Sequence, residues 1–391
     1  MATNSMSIEQ VSTVLNTIMG QATGVSGIGN YAANSFVTVA QTALLTGYDP
    51  IMNAISQTMS QTIFSSRNYT PHFPALRKNT EQWGNMVRKL KVSDWDAQNN
   101  ASYELSDGES VDMYAVKLNK VLQTNFYGLI TWERQLTTFR KQLDTAFTNA
   151  GEFGSFYSML LTKVDNQIKQ THETLARGLV ANGAAAIIDE NNGYRVVKLL
   201  TAYNEETGLE LTLQDVYKPD NFPTFMAWAA GRIERIKRML TERTTLYHTN
   251  VTGKEITSHT PYERQQMYIY APIQFDVNMR ALSVLFNDDK VKLGANELVS
   301  FWQSAQKPES INMTPVYMGT DGAVKIASAA VNKSTLFGII FDDDFMGYTI
   351  ANEHQNTTPM NARGEYWNTF YKYVHRYWMD NTENAVVLLL E

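Results

Sequence analysis

"GEYWNTFYKYVHRYW", residues 364–378, carries Tyr366, Trp367, Phe370, Tyr371, Tyr373, Tyr377 and Trp378 in one short run. Two periods fit it. On a helix, Tyr366, Phe370, Tyr373 and Tyr377 line up. On a strand, Tyr366, Phe370, Val374 and Trp378 share a face with Asn368, Lys372 and Arg376, and Trp367, Tyr371, Tyr373 and Tyr377 take the other. Aromatic and β-branched enrichment, the "NARG" turn at 361–364 and the "NTEN" turn at 381–384 favour the strand. Its expected partner is "ENAVVLLL" (383–390), whose Val386 to Leu390 run reads as a strand buried in a sheet. An aromatic platform for bases comes with an electropositive groove, and Lys372 and Arg376 alone do not make one. Burial of the aromatic strand on both faces is the expectation.

The chain of 391 residues is 43% apolar and 18% charged, an ordinary globular balance with room for two or three packing units. A net charge of −6 argues against dedicated nucleic-acid binding. The absence of cysteine removes disulfides, zinc ribbons and thiol nucleophiles together. The start "MATNSMSIEQ" lacks a basic region followed by an apolar block, and runs such as "FGIIF" are too short to span a bilayer. A soluble protein made in the cytoplasm is expected.

No chemistry emerges. Gly24, Gly27 and Gly29 lie close together, with no strand before them and no lysine after, so they do not form a phosphate cradle. His248 and His259 lack the spacing of a helical metal pair, and His72, His172, His354 and His375 form no local cluster. In "FDDDFMG" (341–347), Asp342, Asp343 and Asp344 point in alternate directions on a strand end, which reads as a charged turn rather than an ion site. No GxSxG elbow surrounds a serine. The expectation is a chain with no catalytic residues, no cofactor and no metal.

Organisation along the chain is more informative. Residues 1 to about 70 carry short amphipathic pieces. A capping box at Ser7 and Gln10 precedes Ile8, Val11, Leu15 and Ile18, a second run spans Phe36 to Leu45, and Asp49–Pro50 starts a third with Ile51, Ile55, Met59 and Ile63. They read as an arm that finds its partners elsewhere. A basic segment (Arg77, Lys78, Arg88, Lys89, Lys91) then gives way to an acidic one (Asp94, Asp96, Glu104, Asp107, Glu109, Asp112). Val111, Met113 and Ala115 alternate as in a strand, suggesting a two-stranded excursion with a solvated tip that needs something to lie against. Phe153, Tyr157, Leu160, Val164, Ile168, Leu175 and Leu179 then mark a helix of about thirty residues, with Gly183 as its stop. From 205 to 335 elements mix. A helix carries Phe225, Trp228, Ile233, Ile236 and Leu240 opposite Arg232, Arg235, Lys237 and Arg238; "MYIYAP", "INMTPVYM" and "TLFGIIF" read as strands, and Asp276 as the N-cap of a further helix. The class is α+β.

In this order the chain resembles a major capsid protein of tailed bacteriophages, closest to the short-tailed podoviruses, with the shell fold named after phage Hong Kong 97. The likeness is carried by "NARGEYWNTFYKYVHRYWMDNTENAVVLLL", similar to that family's closing strands, and by "FGIIFDDDFMGYTI", similar to the strand before them. "FGSFYSMLLTKVDNQIKQTHETLARGLVANG" looks like its spine helix, and about Lys89 to Leu136 like its extended loop. The resemblance implies an N-terminal arm (1–75), an extended-loop region (76–138), a peripheral domain with the spine helix (139–204), an axial domain (205–335) and closing peripheral strands (336–391).

It further implies an icosahedral shell of hexamers and pentamers around packaged double-stranded DNA, touched non-specifically, with no membrane partner. A separate scaffolding protein and a portal protein are expected as partners, because no fused scaffolding prefix precedes the arm. No immunoglobulin-like surface domain is expected after the last strand. The virion is the expected location, after assembly in the host cytoplasm. Contacts between subunits are expected at Arg77, Lys78, Arg88, Lys89 and Lys91 of one copy against Glu104, Asp107, Glu109 and Asp112 of the next. The rivals are a non-enzymatic module using the aromatic sheet for glycan or nucleic acid, and a hydrolase or transferase with a dispersed site.

Overall fold

The computed structural model describes residues 72–78, 86–92, 100–114, 116, 120–127, 129–141, 150–254, 256–276 and 296–391. The arm pieces expected before residue 71, the glycine cluster at 24–29, Asp94 and Asp96, and the helix expected after Asp276 lie outside these residues. Asp276 itself is the last described residue of a short helix. Besides three short 3-10 turns, the described α-helices are α1 (Ala150–Glu190), α2 (Leu199–Thr207), α3 (Leu213–Val216), α4 (Phe222–Leu240) and α5 (Ala271–Asp276). The strands are β1 (Met86–Val92), β2 (Val121–Tyr127), β3 (Ile130–Phe139), β4 (Val196–Lys198), β5 (Gln265–Tyr270), β6 (Glu297–Val299) and β7 (Ile311–Met313). After them come β8 (Val316–Met318), β9 (Val324–Ile326), β10 (Val331–Lys333), β11 (Leu336–Asp342), β12 (Met346–Thr357), β13 (Tyr366–Met379) and β14 (Ala385–Leu389). The α+β class holds. No described helix is long and apolar enough to cross a membrane.

Helix α1 has 41 residues, roughly 60 Å at 1.5 Å per residue, and runs through the expected stop at Gly183. The three alanines that follow, Ala184 to Ala186, are strong helix formers and fully buried. Gly183 serves packing instead: a Cβ there would lie 3.2 Å from Phe345 Cε1 and 3.4 Å from Met346 Sδ. The helix ends at Asn191, which takes the left-handed conformation (φ 51°).

A five-stranded sheet, ordered β4-β14-β11-β5-β6, lies at the centre. Strands β11 and β14 are buried at every residue. One sheet face sends Phe337, Ile340, Val386 and Leu388 into a core with α2 and α4. The other sends Ile339, Phe341, Val387 and Leu389 against Leu179, Val180, Ala184 and Ile187 of α1. Burial on both faces explains the unbroken apolar runs of these two strands.

The aromatic stretch is strand β13, as the composition predicts, but its neighbours differ from expectation. It lies between β12 and β3 in a separate antiparallel sheet, with registers from Met346↔Met379 to Thr357↔Thr369 and from Tyr366↔Phe139 to His375↔Ile130. Both its edges are thereby occupied, while β14 pairs with β11 and β4 in the other sheet. Burial is also one-sided from Trp367 to His375, although Arg376 on the other face is buried as well. Trp367, Thr369, Tyr371, Tyr373 and His375 are buried, whereas Asn368, Phe370, Lys372 and Val374 remain half-open. In the five-stranded sheet the β11–β5 ladder joins residues on either side of position 335/336.

Candidate assembly surfaces

The two-stranded excursion is present. Strands β1 and β2 pair antiparallel from Met86↔Tyr127 to Val92↔Val121. Its second strand starts at Val121, not near Val111, because Val111 and Met113 lie in an irregular, exposed loop. That tip is organised by local bonds. Ser102 donates its amide and hydroxyl to Asn100 Oδ1 at 3.1 and 2.7 Å. The Ser106 amide donates to Glu109 Oε2 (3.0 Å), and the Tyr114 amide to Asp112 Oδ1 (2.9 Å). Large apolar side chains stand in water around these turns: Tyr103 is 89% exposed, Met113 79% and Val116 82%. Residues 100–114 hold Glu104, Asp107, Glu109 and Asp112 and no base. All four acids are exposed.

The base of the excursion has partners within its own protomer. Lys89 Nζ sits 3.1 Å from Asp380 Oδ2 and also meets Glu383. Lys91 Nζ lies 2.8 Å from Glu383 Oε1 and donates to the Thr382 carbonyl at 2.7 Å. These groups belong to the turn Asp380–Asn384, which is buried throughout although every residue in it is polar. Backbone bonds seat the turn: Thr249 N donates to Asn381 O, Asp342 N to Asn384 O, and Asp380 N to Phe345 O. Burial alone would raise the Asp380 carboxyl, yet Lys89, Lys91 and bonds from Thr382 hold it below its ordinary value. Burial likewise opposes the Lys89 charge, and Asp380 with Glu383 outweighs it.

Of the nine residues the sequence nominates for contacts, Lys78, Lys89 and Lys91 thus carry intrachain ion pairs; Lys78 Nζ is 2.6 Å from Asp343 Oδ2. Arg77 and Arg88 face solvent, as do Glu104, Asp107, Glu109 and Asp112. Asp343, Asp380 and Glu383 were not foreseen as partners. The signal for the last two was a wholly polar five-residue turn between two strongly apolar strands.

The three consecutive aspartates behave as a turn. Asp342 accepts from the Thr260 hydroxyl at 2.8 Å and meets Arg264, Asp343 pairs with Lys78, and Asp344 pairs with Arg264. Among the described residues no cluster could hold a metal ion. His248 is a structural histidine, with Nδ1 3.1 Å from Asn384 Oδ1 and Nε2 2.8 Å from Ile256 O.

His375 is fully buried between sheet and spine helix. Its ring centroid lies 4.8 Å from that of His172 on α1, 5.6 Å from that of Trp132 and 6.0 Å from the stacked Tyr377 ring. Burial, with a smaller push from Arg77, lowers its pKa to about 4. Trp132 and Tyr373 stack on each other at 4.2 Å, and both stand edge-on to His172. The stack uses one face of each ring within the fold. The basic side of α4 is partly neutralised too, since Glu206 accepts from Trp228 Nε1 (2.7 Å) and pairs with Arg232.

Residues 14–389 match the family model described as Phi29-like phage major capsid protein. The fold is similar to the capsid structure of Staphylococcus phage Andhra (TM-score 0.51, 10% identity, covering 82% of this chain and 84% of that one). It is also similar to a chain in the structure of the head fiber and inner core protein gp22 of native bacteriophage P68 (TM-score 0.53, 11% identity, 82% and 85% covered). At such identities the likeness concerns the fold, which is the Hong Kong 97-like fold. No curated protein matches the sequence.

Proposed function

The chain belongs to the Phi29-like phage major capsid protein family, and from that premise we propose how its copies meet in the shell. It is a shell-forming major capsid protein of the virion. The finer reading is that the exposed tip of the excursion lies over the body of a neighbouring copy, within hexamers and pentamers. The observation that carries it is the set of large apolar side chains, Tyr103, Met113 and Val116, left in water by a lone protomer.

Magnitudes separate the roles of the two kinds of side chain. An exposed ion pair contributes ~0–1 kcal/mol, while covering one large apolar side chain contributes about 1.5–3 kcal/mol. The apolar residues therefore supply most of the attraction, and Glu104, Asp107, Glu109 and Asp112 set register against Arg77 and Arg88 next door. Repetition of this contact around a closed shell makes a weak pair decisive.

The layer of α2, α4 and the five-stranded sheet is read as the axial domain. The sheet of β12, β13 and β3, with the outer part of α1, is read as the peripheral one. A separate scaffolding protein, a portal and non-specifically touched double-stranded DNA complete the inferred partners, and assembly is inferred to occur in the host cytoplasm. The role is structural rather than catalytic. Reversing charge at Asp107, Glu109 and Asp112 together is expected to cripple particle formation in electron micrographs of the expressed protein. Particle yields equal to wild type would refute the tip contact.

A further inference from the structure

We infer that Lys89 and Lys91 are positioning residues for assembly: together they fasten the excursion to the buried Asp380–Asn384 turn and so fix the direction in which its tip projects. This rests on reading the excursion as a contact arm. A two-stranded ribbon is marginal by itself in water, so its orientation depends on what its faces touch. Lys89 and Lys91 are two apart on β1 and share one face. Both reach the same turn, at Asp380, Glu383 and the Thr382 carbonyl. The alternate residues, Arg88 and Leu90, are exposed, with Leu90 at 56%. One face of β1 is thus docked and the other bare.

The docking point matters because of where it sits. Asp380–Asn384 carries the chain from β13 in one sheet to β14 in the other, and Thr249, Asp342 and Phe345 hold it by backbone bonds. A ribbon fastened there takes its bearing from both sheets at once. With the lysines removed, Asp380 would be a buried carboxylate without its cation, which the turn tolerates only by protonating or opening to water. A smaller second hold exists where Lys120 Nζ donates to Gly253 O at 3.1 Å, just before β2. In a shell, a small error of angle at the base becomes a displacement at the tip. Loss of the latch should therefore produce misclosed assemblies and leave the protomer core folded.

The test uses the full chain carrying Lys89→Met with Lys91→Met, which keeps the apolar stems and deletes both charges. Hydrogen exchange is followed in β1 and β2 and, as an internal control, in β11 and β14. Closed particles are counted by electron microscopy. The expected result is exchange at least tenfold faster in β1 and β2, unchanged protection in β11 and β14, and a tenfold loss of closed shells in favour of open or irregular ones. Lys89→Arg with Lys91→Arg should restore both readouts. Closed shells at wild-type yield with unchanged β1–β2 exchange would overturn the latch. So would protection lost equally in β11 and β14, since that marks a general structural role. The tip-reversed variant separates the two ideas: if it assembles normally the contact arm itself fails, whereas if it is crippled while the double methionine variant is normal, only the latch fails.

Discussion

Replacing His375 with glutamine should remove a specific part of the acid sensitivity of this fold. The imidazole is buried against His172 on α1, Trp132 on β3 and Tyr377 on its own strand, with Arg77 adding positive charge. Among the described residues no carboxylate offsets this. Its pKa is about 4 in the folded chain, against an ordinary value of 6.5. Below pH 6.5 the unfolded chain therefore binds a proton that the folded chain refuses, and stability falls with pH until the folded group also titrates near pH 4. At about 1.36 kcal/mol per unit, the wild type should lose about 1.4 kcal/mol by pH 5.5 and roughly 3 kcal/mol by pH 4 from this residue. Glutamine can still meet the Tyr377 hydroxyl, which lies 3.3 Å from His375 Nδ1, and has no charge to gain. Guanidinium unfolding of both chains at pH 7.5, 5.5 and 4.0 measures the difference. Curves that stay parallel across this range would refute the reasoning, because they would mean that the folded imidazole accepts its proton freely.

Gly338 lies on the central strand β11, where an added Cβ would stand 2.7 Å from the backbone oxygen of Tyr268. Gly338→Ala should cost about 1–3 kcal/mol by crowding, more than the unfolded-state entropy it saves, and appear as a lower denaturation midpoint at unchanged slope. Trp302, 1% exposed and bonded through Nε1 to Leu336 O at 2.9 Å, should cost about 3–5 kcal/mol when changed to alanine, read by the same assay. The Asp380 carboxyl is held below its ordinary value, so its contribution is complete above that value and is lost as pH falls through the depressed one. Hydrogen exchange in β1, normalised for intrinsic rate, should stay flat from pH 7 to 5 and rise only below about pH 4.

Much of the fold was legible because burial on two faces writes unbroken apolar runs, as in "FGIIF" and "AVVLLL", and because a spine helix repeats its stripe for many turns. The partner of the aromatic strand was not legible. Strand pairing depends on edges that other segments have already filled, and β3 comes from more than two hundred residues earlier. Gly183 misled for a related reason: a glycine that ends a helix and one that admits a neighbouring sheet look alike in one dimension. At the candidate surface the basic and acidic segments were visible, but charge patterning does not say which charges already have partners at home. Lys89 and Lys91 found theirs in a turn nearly three hundred residues away.

The most direct measurement is a cryo-electron-microscopy reconstruction of particles purified from cells expressing the chain with its shell-assembly partners. The expected result is a closed shell in which Tyr103, Met113 and Val116 of each copy are covered by the neighbouring copy, while Lys89 and Lys91 stay on Asp380 and Glu383 of their own. A discrete compact monomer, or a shell in which those tips stand bare in solvent, would contradict it.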